Sequence, residues 1–138
     1  MPPNLSTILA LDVGTVRIGV AIASSIAKLA RPETTLPNDE FFTDRLLQII
    51  DNESVGKLVI GLPRGLNGQE TEQTQLVREF VERIKLAVSV PVFLQDEALT
   101  SSKAKQELFA RGKPYQKGEV DALAATYILE DYLKENEA

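Results

Sequence analysis

Neither cysteine nor histidine occurs among the 138 residues of this chain. Without cysteine there is no disulfide framework, no thiolate zinc site and no thiol nucleophile. Without histidine the usual general base, the Ser-His-Asp triad and the commonest transition-metal ligand are excluded as well. No apolar run approaches the roughly 18–20 residues of a membrane span. The opening stretch MPPNLSTILAL holds no lysine or arginine and passes straight into a predicted strand, so it does not read as a signal peptide. A cytoplasmic location with no membrane partner is expected. Any chemistry must fall to carboxylates, lysines, hydroxyls or a bound hard cation.

What is present is the composition of an ordinary globular protein, 43% hydrophobic and 25% charged. The length suits one domain over residues 1–138, large enough to fold without a disulfide or structural metal. A net charge of −5 argues against a protein that coats nucleic acid indiscriminately. The charge is unevenly spread. Between Ala98 and Gly118, five cations (Lys103, Lys105, Arg111, Lys113, Lys117) stand against Glu107 alone, whereas four acids outnumber one lysine between Glu130 and Ala138. Such a basic arm fits a phosphate-bearing ligand at one edge of the protein; by itself it fits a solvated helix face equally well.

The patterning predicts the order βββ-α-β-α-β-α-α. Thr7 to Leu11 is an apolar run expected of a central strand. Arg17 to Ala23 alternates Ile18, Val20 and Ile22 with Gly19, Ala21 and Ala23, as a second strand joined to the first through Val13-Gly14-Thr15. A weaker third strand is expected from about Lys28 to Leu36, with Pro32 suiting an edge. A helix over Glu40 to Asn52, capped by Asn38 or Asp39, would bury Phe42, Leu46, Ile49 and Ile50. Lys57 to Gly61 reads as strand four and Leu62 to Gly68 as a loop. A helix follows from Glu70 to Leu86, burying Leu76, Val77, Phe80, Val81 and Ile84. Pro91 to Gln95 reads as strand five. Thr100 would cap a third helix stopped by Gly112, and after a basic loop from Lys113 to Gly118 the last helix would span Val120 to Lys134. A meander followed by βαβ crossovers gives a mixed sheet with helices on both faces.

Three acids stand out. Asp12 ends the most buried strand, at the carboxyl edge where open α/β sheets bind ligands. Asp96-Glu97 follows strand five, which if parallel to strand four ends at that same edge. Asp121 sits at the start of a helix otherwise made of Ala122, Leu123, Ala124 and Ala125, whose small side chains imply close packing on the sheet. Each has an ordinary alternative: a turn residue, a strand-to-helix loop and a helix-dipole partner respectively. Together they suit magnesium or manganese, which take carboxylate oxygens and need no histidine. A pair of such ions can clamp the attacking and leaving oxygens of a phosphodiester displacement. Ile60 to Gly68 could offer backbone amides to a phosphate, as could Thr100 and Ser101 through their hydroxyls; a surface loop and a helix cap are the plainer readings.

The segments LDVGTVRIGVA, VIGLPRGLNGQET, DEALTS and GEVDALAATYIL, in this order and spacing, resemble the YqgF (RuvX) family. Each alone occurs elsewhere; the four in series are specific. The resemblance implies an RNase H-like α/β fold with sheet order 3-2-1-4-5 and only strand two antiparallel. It implies a pre-16S rRNA nuclease, or a Holliday-junction-resolvase-like enzyme, with Asp12, Glu97 and Asp121 as catalytic and metal-binding acids. Arg17 matches the family's Arg-Ile-Gly segment and would face substrate phosphate, with Arg64, Thr100, Ser101 and Lys117 as further substrate contacts. Two departures remove cations: Val16 where the family usually has a basic residue, and Ala98 in place of the arginine of Asp-Glu-Arg-Leu-Thr. Strand four ends in Gly61-Leu62-Pro63 without the glutamate of true RuvC resolvases. The expected partner is precursor rRNA or a pre-ribosomal particle, with a DNA junction as the alternative substrate. A non-catalytic RNA- or ribosome-binding protein on the same fold is the reading from another class. No apolar surface helix is left over for a strong dimer, so a monomer or weak homodimer is expected.

Overall fold

The computed structural model describes residues 7–97 and 100–136, with side chains for all of these except residues 100–102. Five strands form one sheet: β1 (Thr7–Val13), β2 (Arg17–Ser24), β3 (Arg31–Pro37), β4 (Val55–Pro63) and β5 (Val92–Glu97). Their order is β3-β2-β1-β4-β5. β2 pairs antiparallel with β1 and β3, whereas β1, β4 and β5 are mutually parallel. This is the topology expected from the sequence. Four helices complete the fold: α1 (Phe42–Asn52), α2 (Glu72–Ala87), α3 (Thr100–Ala110) and α4 (Lys117–Asn136).

The period-two alternation of β1, β2 and β4 divides the interior into two unlike cores. Leu9, Leu11, Ile18, Val20, Ile22, Leu58, Ile60 and Leu62 face α1 and α2, meeting Phe42, Leu46, Val77, Phe80 and Ile84. The opposite face presents Ile8, Ala10, Ala21, Ala23 and Val59 to Ala125, Ile128, Leu129, Tyr132 and Leu133 of α4. On the second face Ala10, Ala21 and Ala23 meet Ala125, and these small side chains let α4 lie close on the backbone of β1 and β2. Among the described residues no helix is long and apolar enough to cross a membrane.

Several boundaries differ from the sequence expectation, each for a local reason. β3 begins at Arg31, not Lys28, because Lys28 adopts a left-handed conformation (φ 56°) in a turn closed by its amide donating to the Ser24 carbonyl. α1 begins at Phe42 with no side-chain cap. Asp39 instead accepts from the Phe41 amide in the preceding turn, and the Asn38 side chain donates to the Gly14 carbonyl at 2.7 Å. α2 is capped by Thr71, whose Oγ1 accepts from the Thr74 amide while Thr74 reciprocates, and Leu76 faces solvent instead of the core. β4 runs on through Leu62 and Pro63, which pair with Asp96 and Glu97, so both acids belong to β5 and not to the loop after it. α3 ends at Ala110, and Gly112, with φ 69°, makes the expected stop. α4 starts at Lys117, three residues early, because Glu119 reaches back to accept from the Gln116 amide. Asp121 therefore lies just past the first turn of α4.

Candidate active site

Side-chain alternation decides which way the acids point. In β1 the residues Ile8 and Ala10 face α4, and Asp12 continues that series. In β5, Phe93 stacks near Tyr132 of α4 and the Gln95 amide donates to Glu135 of α4, so Glu97 continues the series on the same face. Asp121 descends from α4 itself. The three acids, distant in sequence, share one face at the carboxyl end of the parallel strands.

Two glycines bring them within range of one another. Gly19 is the cross-strand partner of Asp12. A Cβ there would lie 1.9 Å from the carbonyl oxygen of Asp121 and 2.8 Å from the amide nitrogen of Ala122, so α4 rests directly on the Gly19 backbone. On the other side of Asp12, Gly61 follows Ile60, the β4 partner of Leu11. A Cβ at Gly61 would stand 2.2 Å from Glu97 Oε2 and 2.4 Å from Ile128 Cδ1. One glycine thus makes room for Asp121 and the other for Glu97, with Asp12 between. In the sequence Gly19 stands out only as part of a small-residue alternation and Gly61 only as part of a candidate phosphate-binding loop, not as a seat for Glu97. Glycines at inward positions opposite an alanine-rich helix were the available signal.

Asp12 and Glu97 stand close enough for each carboxyl to shift the other's titration. Burial, then the charge of Asp121, pushes Asp12 from its ordinary 3.8 up to about 7. Burial, then the charge and hydrogen bond of Asp12, pushes Glu97 from 4.5 up to about 8. Glu97 Oε2 is buried with no hydrogen-bond partner, an arrangement that is costly unless a cation or donor meets it. Asp121 is drawn aside: its Oδ2 accepts from Arg17 Nε at 2.6 Å, with Asp121 21% and Arg17 38% exposed. Among the described residues no three carboxylates lie close enough to hold one ion together. The structure brings two acids into contact and holds the third beside them on an arginine. The donor set nevertheless suits a hard divalent cation, since an unpartnered buried carboxylate oxygen beside a second buried acid marks a place where positive charge is missing.

A pH dependence follows. Because both folded-state values lie above the ordinary carboxyl values, the pair costs nothing below about pH 4. Its contribution to stability is lost as pH rises through 7 and 8. A divalent cation that takes the place of the proton should therefore raise the melting temperature more at pH 8.5 than at pH 6. Thermal melts with EDTA, magnesium or manganese at the two pH values measure this; an increment independent of pH would contradict it.

The remaining sequence-predicted contacts are placed differently. Arg17 and Lys117 both line a recess beside Asp121. Arg64 is held away, its Nε donating to Asp96 at 3.3 Å and its guanidinium 3.6 Å from Glu70. The glycine-rich loop after β4 uses its own amides: Gly65 donates to the Gln69 carbonyl, Gly68 to the Gly65 carbonyl and Asn67 to the Gln69 side chain. These amides are already satisfied within the loop. The side chains of Thr100 and Ser101, and Ala98, lie outside the described residues. Val16 is 66% exposed in the β1–β2 turn.

Residues 6–135 match a family model described as RuvX: Holliday junction resolvase. A protein of Sulfurihydrogenibium sp. named "Putative pre-16S rRNA nuclease" is 38% identical over 131 residues, covering 94% of this chain and 90% of its own. A Haemophilus ducreyi protein of the same name is 38% identical over 135 residues, covering 95% and 98%. Among solved structures, T. thermophilus RuvC in complex with Holliday junction substrate is similar at a TM-score of 0.56 over 96% of this chain and 97% of that one, with 16% identity. That likeness concerns the fold, and it agrees with the RNase H-like topology of the sheet. With the family model matched almost end to end and relatives at this identity over nearly their whole length, the chain belongs to the RuvX (YqgF) family.

Proposed function

We propose that this chain acts in the cytoplasm as a one-domain, divalent-metal-dependent nuclease that hydrolyses phosphodiester bonds at the 5′ end of precursor small-subunit rRNA. The observation that carries the reading is the contact between Asp12 and Glu97, with an unpartnered buried oxygen on Glu97, on the sheet face shared with Asp121. The names carried by full-length relatives supply the substrate.

Asp12, Glu97 and Asp121 would hold magnesium or manganese. When bound, such an ion activates the attacking water and offsets the charge that develops on the phosphate. The protein's own groups do the rest. Arg17, a fixed cation hydrogen-bonded to Asp121 and facing the recess, can also meet a non-bridging phosphate oxygen and so orient it against the acids. Burial of the Asp12–Glu97 pair lowers the local dielectric and strengthens each charge at the site. A carboxyl pair poised near neutral pH can accept a proton from the attacking water.

A second reading has its own support. The family model carries the description of a Holliday junction resolvase, and the fold is that of RuvC. Branched DNA is therefore the alternative substrate, although the end of β4, Gly61-Leu62-Pro63, offers no acid. Purified protein with magnesium or manganese should be given a precursor rRNA fragment and a four-way DNA junction, alongside Glu97→Gln and Asp121→Asn. Cleavage of the rRNA fragment by the parent, lost in both folded variants, is the expected result. Cleavage of the junction alone would transfer the assignment to DNA. Equal cleavage by parent and variants would overturn the site.

A further inference from the structure

Beside the acidic centre, and sharing Asp121 with it, lies a recess of about 500 Å³ lined by Arg17, Lys105, Tyr115, Lys117, Val120 and Asp121. Arg17, Lys117 and Asp121 are expected at the site from sequence and Lys105 belongs to the basic arm; Tyr115 and Val120 are not anticipated. The lining is chemically mixed in a particular way: three cations, a phenol ring and a nearly buried valine. Its only acid is Asp121, which already accepts from Arg17. Among the described residues neither Lys105 nor Lys117 is held in an ion pair, whereas Arg31, Arg45, Arg64, Arg78 and Arg111 all are. The net positive charge of the recess is thus available to a ligand.

Tyr115 is held in position without being covered. It sits in the turn between α3 and α4. That turn is fixed at one end by Gly112, in a left-handed conformation with its amide donating to Phe109. At the other end the Gln116–Glu119 cap fixes it. Tyr115 is nevertheless 39% exposed and lines the recess. An aromatic side chain and lysines lining one recess can together bind a nucleotide, the base on the ring and the phosphates on the cations. A base inside a duplex has both faces covered by its neighbours, so only an unpaired base can stack on Tyr115.

Resting on the nuclease reading above, we infer that this recess takes one unpaired nucleotide next to the phosphate to be cut. Its base stacks on Tyr115 and its phosphate lies between Lys105 and Lys117. The substrate class of the site is therefore a single strand or a frayed end, not continuous duplex. Arg17 and Asp121 belong to both the recess and the acidic centre, so a nucleotide seated here puts its neighbouring phosphodiester at the acids.

The test is binding of the full chain, in EDTA to prevent cleavage, to labelled eight-nucleotide RNA and DNA single strands and to the corresponding duplexes, followed by fluorescence anisotropy. The parent is expected to favour the single strands. Tyr115→Ala should weaken single-strand binding roughly 5- to 150-fold, the range that base–aromatic stacking gives, and leave duplex binding unchanged, while Tyr115→Phe stays within about twofold of the parent. Lys105→Ala should flatten the salt dependence by roughly 0.7 in log–log slope, one phosphate contact on a single strand. Both side chains are on the surface, and melting temperatures verify that the variants fold. RNA and DNA strands should respond alike, since base and phosphate are the groups contacted.

The inference is overturned if Tyr115→Ala leaves single-strand affinity intact, weakens strands and duplexes equally, or affects only one kind of strand. A parallel cleavage assay on precursor rRNA separates it from the nuclease reading. Cleavage by a parent whose Tyr115→Ala variant binds normally would remove the recess and keep the nuclease. A Tyr115-dependent binder that never cleaves would do the reverse.

Discussion

Asp12→Asn is expected to abolish phosphodiester cleavage and, in the absence of divalent cations at pH 8, to raise the melting temperature. The two effects have one source. Asp12 lies between Glu97 and Asp121, so its negative charge is what a cation would neutralise and also what the metal-free fold must tolerate. Loss of activity should be at least about 10²–10³-fold, the scale seen when one preorganised electrostatic contact is removed from an active site. The gain in stability should be about 1–3 kcal/mol, because asparagine keeps the shape but cannot ionise. That gain should shrink as pH falls below about 7 and vanish near pH 4, where the unfolded carboxyls are protonated too. Divalent cation should stabilise the parent and leave the variant unmoved. Melts of both proteins at pH 5.5 and 8, with and without magnesium, test every part of this. A variant less stable than the parent at pH 8 would show that Asp12 is a structural hydrogen-bonding residue and not a strained functional one.

Gly19→Ala is the second large effect, and it acts on a backbone. The new methyl would meet the Asp121 carbonyl oxygen at 1.9 Å and its carbon at 2.2 Å, atoms that cannot rotate away as a side-chain tip can. The start of α4 must lift, taking Asp121 with it. Overpacking of this kind typically costs 1–3 kcal/mol, occasionally more, lowering the melting temperature by about 3–6 °C per kcal/mol in a chain of this size. Because displacement of an active-site group by about 1 Å can cost 10²-fold in rate, activity should fall by roughly that factor in the protein that remains folded. Gly118→Ala is the control. The atoms nearest a Cβ there belong to Thr35, at 3.6 Å or more, in the opening turn of α4, where alanine is the better helix former. It should be neutral or slightly stabilising. Equal behaviour of the two substitutions would show that α4 is not seated on Gly19.

These substitutions also mark where sequence was readable and where it was not. The sheet order followed from the family resemblance and the meeting of Asp12, Glu97 and Asp121 at one sheet edge from the parallel βαβ order, whereas the face they share needed Glu97 to be placed inside β5. Boundaries failed where a local hydrogen bond overrode pattern. Asn38 was taken by the Gly14 carbonyl, Glu119 extended α4 backwards, and Pro63 was admitted to β4 at the strand's end. Arg64 was expected near substrate as the cation of a candidate phosphate-binding loop between β4 and α2. Its capture by Asp96 and Glu70 depends on β5 and α2 converging there, which no local window contains. The pairing of Arg17 with Asp121, 104 residues apart, was unreadable for the same reason, although both residues had been selected individually.

The edge strand β3 has a consequence for how copies of this chain meet. Open sheet margins invite a neighbouring chain to add a strand, and protection comes from prolines and charges placed along them. β3 carries Pro32 and Pro37, which donate no hydrogen bond, with Arg31 and Glu33 paired beside them. A second molecule approaching that margin finds donors missing and charge to desolvate. Growth of the sheet past five strands is discouraged on that side at concentrations where an unprotected margin would begin to template fibres.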